Sequence, residues 1–429
     1  MSSGGGTDPA AAGEGAAGVQ ADRKRLRVLA IAFACDPERG SESAGGWGTV
    51  NALAEFADVT VLHHPRHTEN IDAWRRQYPE SQRHLTYVPV ETVAWGLRAQ
   101  RIKPLTQMAW RARYLGWLRV AQEVGERLHA QESFDAALHA SLGIYWLPST
   151  VVDLPMPTVW GPVSGAAPSP PQLRRYGGVA GFLAERAELA SAAVLARLPW
   201  TRRTWRRATF RLTESANVYT RLPEDLRDRS AIANRAILSS IRDVPAVPRK
   251  PYLLFTSPLE RRKAPALALH ALARTPEDVR LLFIHRGPEQ KRLEALAGRL
   301  GVRDRVEFLG RVPRDEMWAR IAETAGCVFT GLREEGGCAL AEAMLAGAPV
   351  TMIDHGGAGL LAAAATDPER MHAIRVTTPE RTVDDLAAAM TSMAHHPSEA
   401  SGPYLDQETT KGTLRFAVEQ AIQVSSQGG

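Results

Sequence analysis

The chain is 429 residues long, 44% hydrophobic and 23% charged. That balance excludes wholesale disorder, a collagen-like repeat and a disulfide-dense scaffold, and it leaves room for two or three domains, each with its own core. Its 52 Lys and Arg against 47 Asp and Glu give a net charge of +5, which suits an anionic substrate and is too weak to indicate nucleic acid.

Residues 1–24 are mostly Gly, Ala and Ser with no aromatic side chain, so a disordered tail is expected there. The apolar run from Val28 to Ala34, with Cys35 next, follows Arg23, Lys24 and Arg25. It reads as a buried first strand, since seven apolar residues are short for a signal core. A glycine-rich turn, Gly40 to Gly48, follows. Val50, Leu53, Ala54 and Ala57 then share one helical face, and Val59–Leu62 is a second strand. This strand–turn–helix–strand unit builds doubly wound parallel sheets. Ala136–His139 and Thr158–Trp160 are further strands of the same sheet. The apolar run Val179–Leu198 is interrupted by Glu185, Arg186, Glu188 and Arg197, so no membrane-spanning helix is expected.

The second half alternates more plainly. Strands are predicted at Tyr252–Thr256, Leu281–His285, Val306–Leu309, Cys327–Thr330 and Pro349–Ile353. Helices are predicted between them at Ala264–Ala273, Glu289–Leu300, Arg314–Ala322 and Cys338–Ala346. Three prolines within Val244–Pro251 mark a stiff linker. The domains are therefore expected at 25–244 and 252–404, joined by 245–251. A last amphipathic stretch, Thr413–Val424, lies in a closing segment, 405–429. Two such domains imply a cleft, with ligands at the carboxyl ends of the strands.

The richest chemistry lies between Arg333 and Val350. Glu334 is in a loop after a strand, Gly336 and Gly337 open the next helix with Cys338 and Ala339, and Glu342 sits about one turn inside it. Free amides at a helix start bind anions, and glycine lets a ligand approach the backbone. Carboxylates flanking that site can each accept hydrogen bonds from a sugar diol. A nucleotide-sugar satisfies all three features. A solvated loop acid beside an ordinary helical glutamate satisfies the spacing equally well.

This segment resembles the donor-site signature of GT-B glycosyltransferases of the retaining family 4 (glycosyl transferases group 1) type. There a glutamate, seven residues and a second glutamate precede Gly-x-Pro-Val, as Glu334, Glu342 and Gly347-Ala348-Pro349-Val350 do here. The stretches Gly287-Pro288-Glu289, Val306-Glu307-Phe308-Leu309-Gly310, Cys35 to Trp47 and Val159-Trp160-Gly161-Pro162-Val163 are similar to other parts of the family. The resemblance covers about residues 27–360 and is weakest over 175–245. It implies a GT-B fold: two Rossmann-like doubly wound parallel-sheet domains facing across a cleft, acceptor in the first and nucleotide-sugar in the second. The closing segment would cross back to the first domain.

The resemblance also implies roles. Glu334 would lie beside the transferred sugar and Glu342 would hold the ribose. Lys263 takes the place of a lysine that grips the leaving diphosphate, and His139, ending a strand, that of a histidine facing the sugar. Gly45, Gly46, Arg261, Arg262, Gly287, Gly336, Gly337, Cys338 and Ala339 are the further donor-side candidates; Glu42, Trp47, Trp160 and Ser164 are the acceptor-side candidates. One position departs from the pattern: the family's arginine, five residues before the lysine, is Pro258 here. Proline cannot supply a guanidinium's paired hydrogen bonds to phosphate, so Arg261 or Arg262 would have to compensate.

No Asp-x-Asp triplet and no His, Cys or carboxylate set with metal spacing is present, which favours chemistry without a metal or other cofactor. Two stretches, Arg98–Arg119 and Arg197–Arg211, mix arginines with aromatics. They fit a solvated helix face, a membrane-surface helix or a pocket for an anionic acceptor. Three cysteines, Cys35, Cys327 and Cys338, match a reducing, cytoplasmic setting, with peripheral contact at the inner membrane face as the variant. The expected activity is retaining, metal-independent transfer of a sugar from a nucleotide-diphosphate-sugar to a hydroxyl or amine of a small molecule, glycan or lipid, without nucleic acid. A GT-B enzyme of other chemistry, such as a sugar-nucleotide epimerase or pseudo-glycosyl coupling enzyme, and a non-catalytic GT-B partner protein are the alternatives.

Overall fold

The computed structural model describes residues 25–92, 103–165, 167–240, 244 and 246–427. The tail at 1–24 and residues 98–102 of the first basic-aromatic stretch lie outside the described residues.

The first sheet is built from β1 (Leu26–Ala32), β2 (Ala57–His63), β3 (Leu85–Pro89), β4 (Ala136–His139), β5 (Gly143–Ile144), β6 (Thr158–Ser164), β7 (Phe210–Thr213) and β8 (Ser230–Ile232). Its order is β3-β2-β1-β4-β6-β7-β8, with β5 also paired to β6, and every pairing is parallel. Its helices are α1 (Glu42–Ala54), α2 (Thr68–Gln77), α3 (Lys103–Glu132), α4 (Gly178–Leu195), α5 (Pro199–Arg207), α6 (Ala216–Tyr219) and α7 (Glu224–Arg227). Central strand β1 has no polar side chain from Val28 to Ala32, all fully buried, because helices cover both faces of a parallel sheet.

The second sheet has β9 (Lys250–Phe255), β10 (Leu281–Phe283), β11 (Val306–Phe308), β12 (Thr324–Phe329), β13 (Val350–Ile353) and β14 (Met371–Ile374). They run parallel in the order β11-β10-β9-β12-β13-β14. Around it lie α8 (Pro265–Leu272), α9 (Gln290–Arg299), α10 (Arg314–Glu323), α11 (Cys338–Leu345), α12 (Gly357–Ala363) and α13 (Pro379–His395). The last helix, α14 (Glu408–Gln427), leaves this domain. Its Leu414, Ala417, Val418 and Ala421 pack into the first sheet's core with Val28, Ala30, Val159 and Leu212.

Both sheets reverse their winding between two adjacent strands, β1 and β4 in the first and β9 and β12 in the second. Loops leaving such a pair splay to opposite faces and open a crevice at the strand ends. The molecule has two Rossmann-like domains in the GT-B arrangement, with these crevices on the walls of one cleft.

One local expectation is overturned. Gly45, Gly46 and Gly48 do not form a turn; they lie inside α1 and are buried. A side chain on Gly46 would collide with the Ala34 carbonyl and one on Gly48 with the Leu238 carbonyl. These glycines let α1 approach neighbouring backbone closely.

Candidate functional site

A cavity of about 820 Å³ lies in the cleft. Its second-domain wall forms where β9 and β12, adjacent in the sheet, both end. After β9 the chain makes a short turn, Arg261–Lys263, closed by Ala264 in the left-handed region. Thr330, just past β12, fastens that turn by donating from Oγ1 to the carbonyls of Lys263 at 3.0 Å and Ala264 at 2.9 Å. Two residues 71 positions apart thereby meet: the Lys263 ammonium is ion-paired to Glu334 Oε2. Burial acts to raise the Glu334 carboxyl, but Lys263, with Arg262 and the Gly337 amide, outweighs it and holds the group below the usual carboxylate range.

The loop from Glu334 to Gly337 then starts α11. Gly337 takes a positive φ of 84° as the helix cap, a conformation glycine adopts freely, and its amide donates to Glu334 Oε1 at 3.2 Å. Glu342, buried one turn on, accepts from Arg314 at 2.8 Å. Burial pushes the Cys338 thiol up, so a small neutral side chain stands at the helix start. The second-domain wall thus offers two carboxylates, a lysine and a helix start, with Arg262, Arg311 and Arg314 around them.

The opposite wall is more acidic: Glu38, Glu42, Glu188 and Glu214 line it with Arg39 and Arg235. Glu214 follows β7 directly and is buried against the Arg235 guanidinium, which also reaches Glu42 at 2.9 Å. Burial pushes the Glu214 carboxyl up to about 7, against the opposing pull of Arg235. First-domain side chains also grip the glycine loop itself. Ser215 donates to Glu335 Oε2 at 2.6 Å, and Asn234 Nδ2 donates to the carbonyls of Glu335 at 3.2 Å and Gly336 at 2.9 Å. Arg333 reaches back to the Ala167 carbonyl and to Glu188.

The cavity brings together Glu42, Ser164, Arg262, Lys263, Glu334, Gly336, Gly337, Cys338, Ala339 and Glu342. Seven expected residues stand elsewhere. His139 is buried behind the wall, its ring nitrogens within 2.8 Å of Tyr114 Oη and 3.1 Å of Ser149 Oγ. Burial lowers its pKa to about 4, which favours the neutral ring. Trp47 and Trp160 are packed into the core, and Gly45 and Gly46 are held inside α1. A side chain on Gly287 would strike the Leu259 carbonyl, so this glycine serves packing. Arg261 is turned away and bonded to Glu289 at 2.9 Å, whereas Arg262 stays in the cavity wall beside Pro258. Sequence reasoning missed Glu214, Asn234, Arg235 and Arg314, which belong to no motif. Glu214 sits directly after β7, but that strand is not legible in the sequence, so its position gave no signal.

Among the described residues no group of three or more His, Cys, Asp or Glu is placed to hold a metal ion, and no helix is long and apolar enough to cross a membrane.

Residues 239–401 match the family described as glycosyl transferases group 1. A 90-residue stretch is 34% identical to a 2-deoxystreptamine glucosyltransferase of Streptomyces kanamyceticus, covering 21% of this chain and 23% of that protein. A 142-residue stretch is 32% identical to a D-inositol 3-phosphate glycosyltransferase of Xylanimonas cellulosilytica, covering 32% of each. The likeness therefore spans less than a third of either relative's length. Among solved structures, a mutant of S. aureus TarM in complex with fondaparinux, alpha-GlcNAc-glycerol and UDP superposes with a TM-score of 0.56 at 8% identity, over 93% of this chain and 99% of that one. Sucrose-phosphate synthase from Thermosynechococcus elongatus gives 0.54 at 15% identity, over 92% and 99%. The second sheet and its strand-end loop agree with this match: residues 239–401 are similar to the glycosyl transferases group 1 domain, and the chain has the GT-B fold.

Proposed function

We propose that the chain is a glycosyltransferase that moves a sugar from a nucleotide-diphosphate-sugar to a hydroxyl or amine of an acceptor held against the first domain. The observation that carries this reading is the convergence of Lys263, Glu334 and Glu342 on one cavity at the ends of β9 and β12. Both curated relatives are named for glycosyl transfer, which supports it.

In this reading the bond between the sugar and the diphosphate breaks as the acceptor oxygen or nitrogen bonds to the same carbon. Lys263 and the amides at the start of α11 stabilise the charge that develops on the leaving diphosphate. Arg262 is the guanidinium that lies in the cavity wall where Pro258 removes one, whereas Arg261 does not line it; Arg262 would exchange its 2.7 Å contact with Glu260 for the diphosphate. Glu334 orients the sugar and Glu342 the ribose, each accepting hydrogen bonds from paired hydroxyls. Both carboxylates are paired with cations in the cleft, so donor binding exchanges or shares those contacts. The acceptor proton passes to a donor phosphate oxygen on the same face, which retains configuration. No metal is needed where fixed cations take that charge.

The test is a panel of nucleotide-sugars incubated with and without candidate acceptors and read by mass spectrometry. Product that requires acceptor, survives a chelator and keeps the donor's anomeric configuration supports the reading. Donor conversion independent of acceptor favours a sugar-nucleotide epimerase, the alternative that Pro258 motivates.

A further inference from the structure

The helix α4 carries its charges and its apolar residues the wrong way round for a soluble surface helix. Its acids turn inward. Glu185 is buried and accepts from the Ser169 amide at 2.8 Å and hydroxyl at 2.6 Å, and Glu188 lines the cavity and pairs with Arg333 at 3.0 Å. The opposite side is a stripe at helical spacing, Val179, Leu183, Arg186, Ala190, Val194 and Arg197. Val179 is 77% exposed, Leu183 61% and Val194 62%. Trp200, at the start of α5, is 55% exposed. No acid occurs from residue 189 to residue 213. Arg203 and Arg207 are engaged by Asp153, whereas Arg186, Arg202 and Arg206 have no carboxylate partner among the described residues.

A lone exposed leucine needs no explanation, but an outward apolar stripe along a whole helix does. Its chemistry selects the occupant. Aliphatic side chains interleaved with arginines, without acids, suit a surface that is apolar beneath and anionic on top, which is a bilayer containing acidic phospholipid. An exposed tryptophan beside basic residues fits the headgroup boundary. A second copy of this chain meeting the same stripe across a two-fold axis would bring arginines toward arginines, which opposes pairing.

We propose that the outward side of α4, with Trp200 and the arginines of α5, docks the protein on an anionic lipid surface. Because Glu188, on the inner side of the same helix, belongs to the cavity wall, docking sets the edge of the cleft beside the bilayer.

The test is co-sedimentation of the full chain with vesicles of phosphatidylcholine alone and of phosphatidylcholine mixed with phosphatidylglycerol. The chain should bind the mixed vesicles and not the neutral ones, and salt should weaken binding. Leu183→Ser with Val194→Ser should lower partitioning about tenfold or more. Arg186→Gln with Arg197→Gln should lower it by a comparable factor, at about fivefold per arginine. None of these four side chains lines the cavity, so thermal unfolding and UDP binding should match the unaltered chain, and a failure of docking is distinguishable from a failure of the donor reading. Three results overturn the proposal: no binding to the mixed vesicles, equal binding to neutral vesicles, or binding that all four substitutions leave intact. Self-association through these residues in sedimentation equilibrium, without vesicle binding, assigns the face to a second copy instead.

Discussion

Two segments of this chain look alike as sequence and do different work. Each follows a central parallel strand, is rich in glycine and acid, and opens a helix: Gly40 to Gly48 after β1 and Glu334 to Gly337 after β12. In the first, the glycines at 45, 46 and 48 lie inside α1 and press against the Ala34 and Leu238 carbonyls and the Arg235 side chain. In the second, a side chain on Gly336 would meet nothing closer than 3.8 Å and Gly337 has the positive φ of a helix cap. The difference comes from where the helix begins. α1 begins at Glu42, ahead of its glycines, so they become packing residues. α11 begins after Gly337, so its glycines stay at the cavity. A glycine-rich turn after a strand is evidence of close approach, and only the helix boundary shows whether backbone or ligand is approached.

Substitutions in the two segments should have different consequences. Gly48→Ala should be the most damaging, costing about 4 kcal/mol of stability, because its collision is with fixed backbone; chemical denaturation reads this, and a cost below about 1 kcal/mol would contradict the packing role. His139, in the first region, separates fold from chemistry by pH. Its folded pKa is about 4 against an ordinary 6.5, so the unfolded chain binds the extra proton between those values. Stability should fall as pH drops from 6.5 to 4, by about 3 kcal/mol at most, and His139→Gln should flatten that loss.

In the second region the losses should be catalytic. Lys263→Met should lower kcat about a hundredfold by removing one charged contact to the leaving group. Glu342→Gln should raise the donor KM about tenfold with kcat nearly unchanged, the signature of lost uniform binding. Gly336→Ala should be the mildest for the fold, shifting stability by less than about 0.5 kcal/mol, since the site has room for a methyl group; a larger shift would erase the difference between the two segments.

The sequence made the second sheet legible because buried parallel strands such as β9 and β12 are short apolar runs between helical patterns. It hid β7, whose Phe210-Arg211-Leu212-Thr213 holds a buried arginine. That guanidinium is satisfied by the carbonyls of Trp205 and Ala208, six and three residues earlier, at 2.5 and 2.7 Å, and a charged residue there breaks the apolar run that marks a buried strand. It also hid β3, β8 and β14, which sit at or next to sheet edges and lack continuous apolar runs. The donor-side wall was readable where it follows a contiguous signature, from Glu334 to Glu342. On the facing wall Glu42 and Ser164 were readable, but Glu214 and Arg235 were not, because they join Glu42 only through the order of β1, β7 and β8. His139 and Trp160 illustrate the converse error: each lies on a strand that borders the site, yet each side chain packs into the core.

The central claim is that Lys263, Glu334 and Glu342 address one nucleotide-diphosphate ligand. Calorimetric titration of UDP-, GDP- and dTDP-glucose into the unaltered chain and into Lys263→Met, Glu334→Gln and Glu342→Gln tests it directly. Saturable binding of at least one donor to a single site is expected, weakened by each substitution, with the protein still folded. Binding that none of the three substitutions weakens, or no binding of any of these donors, would contradict it.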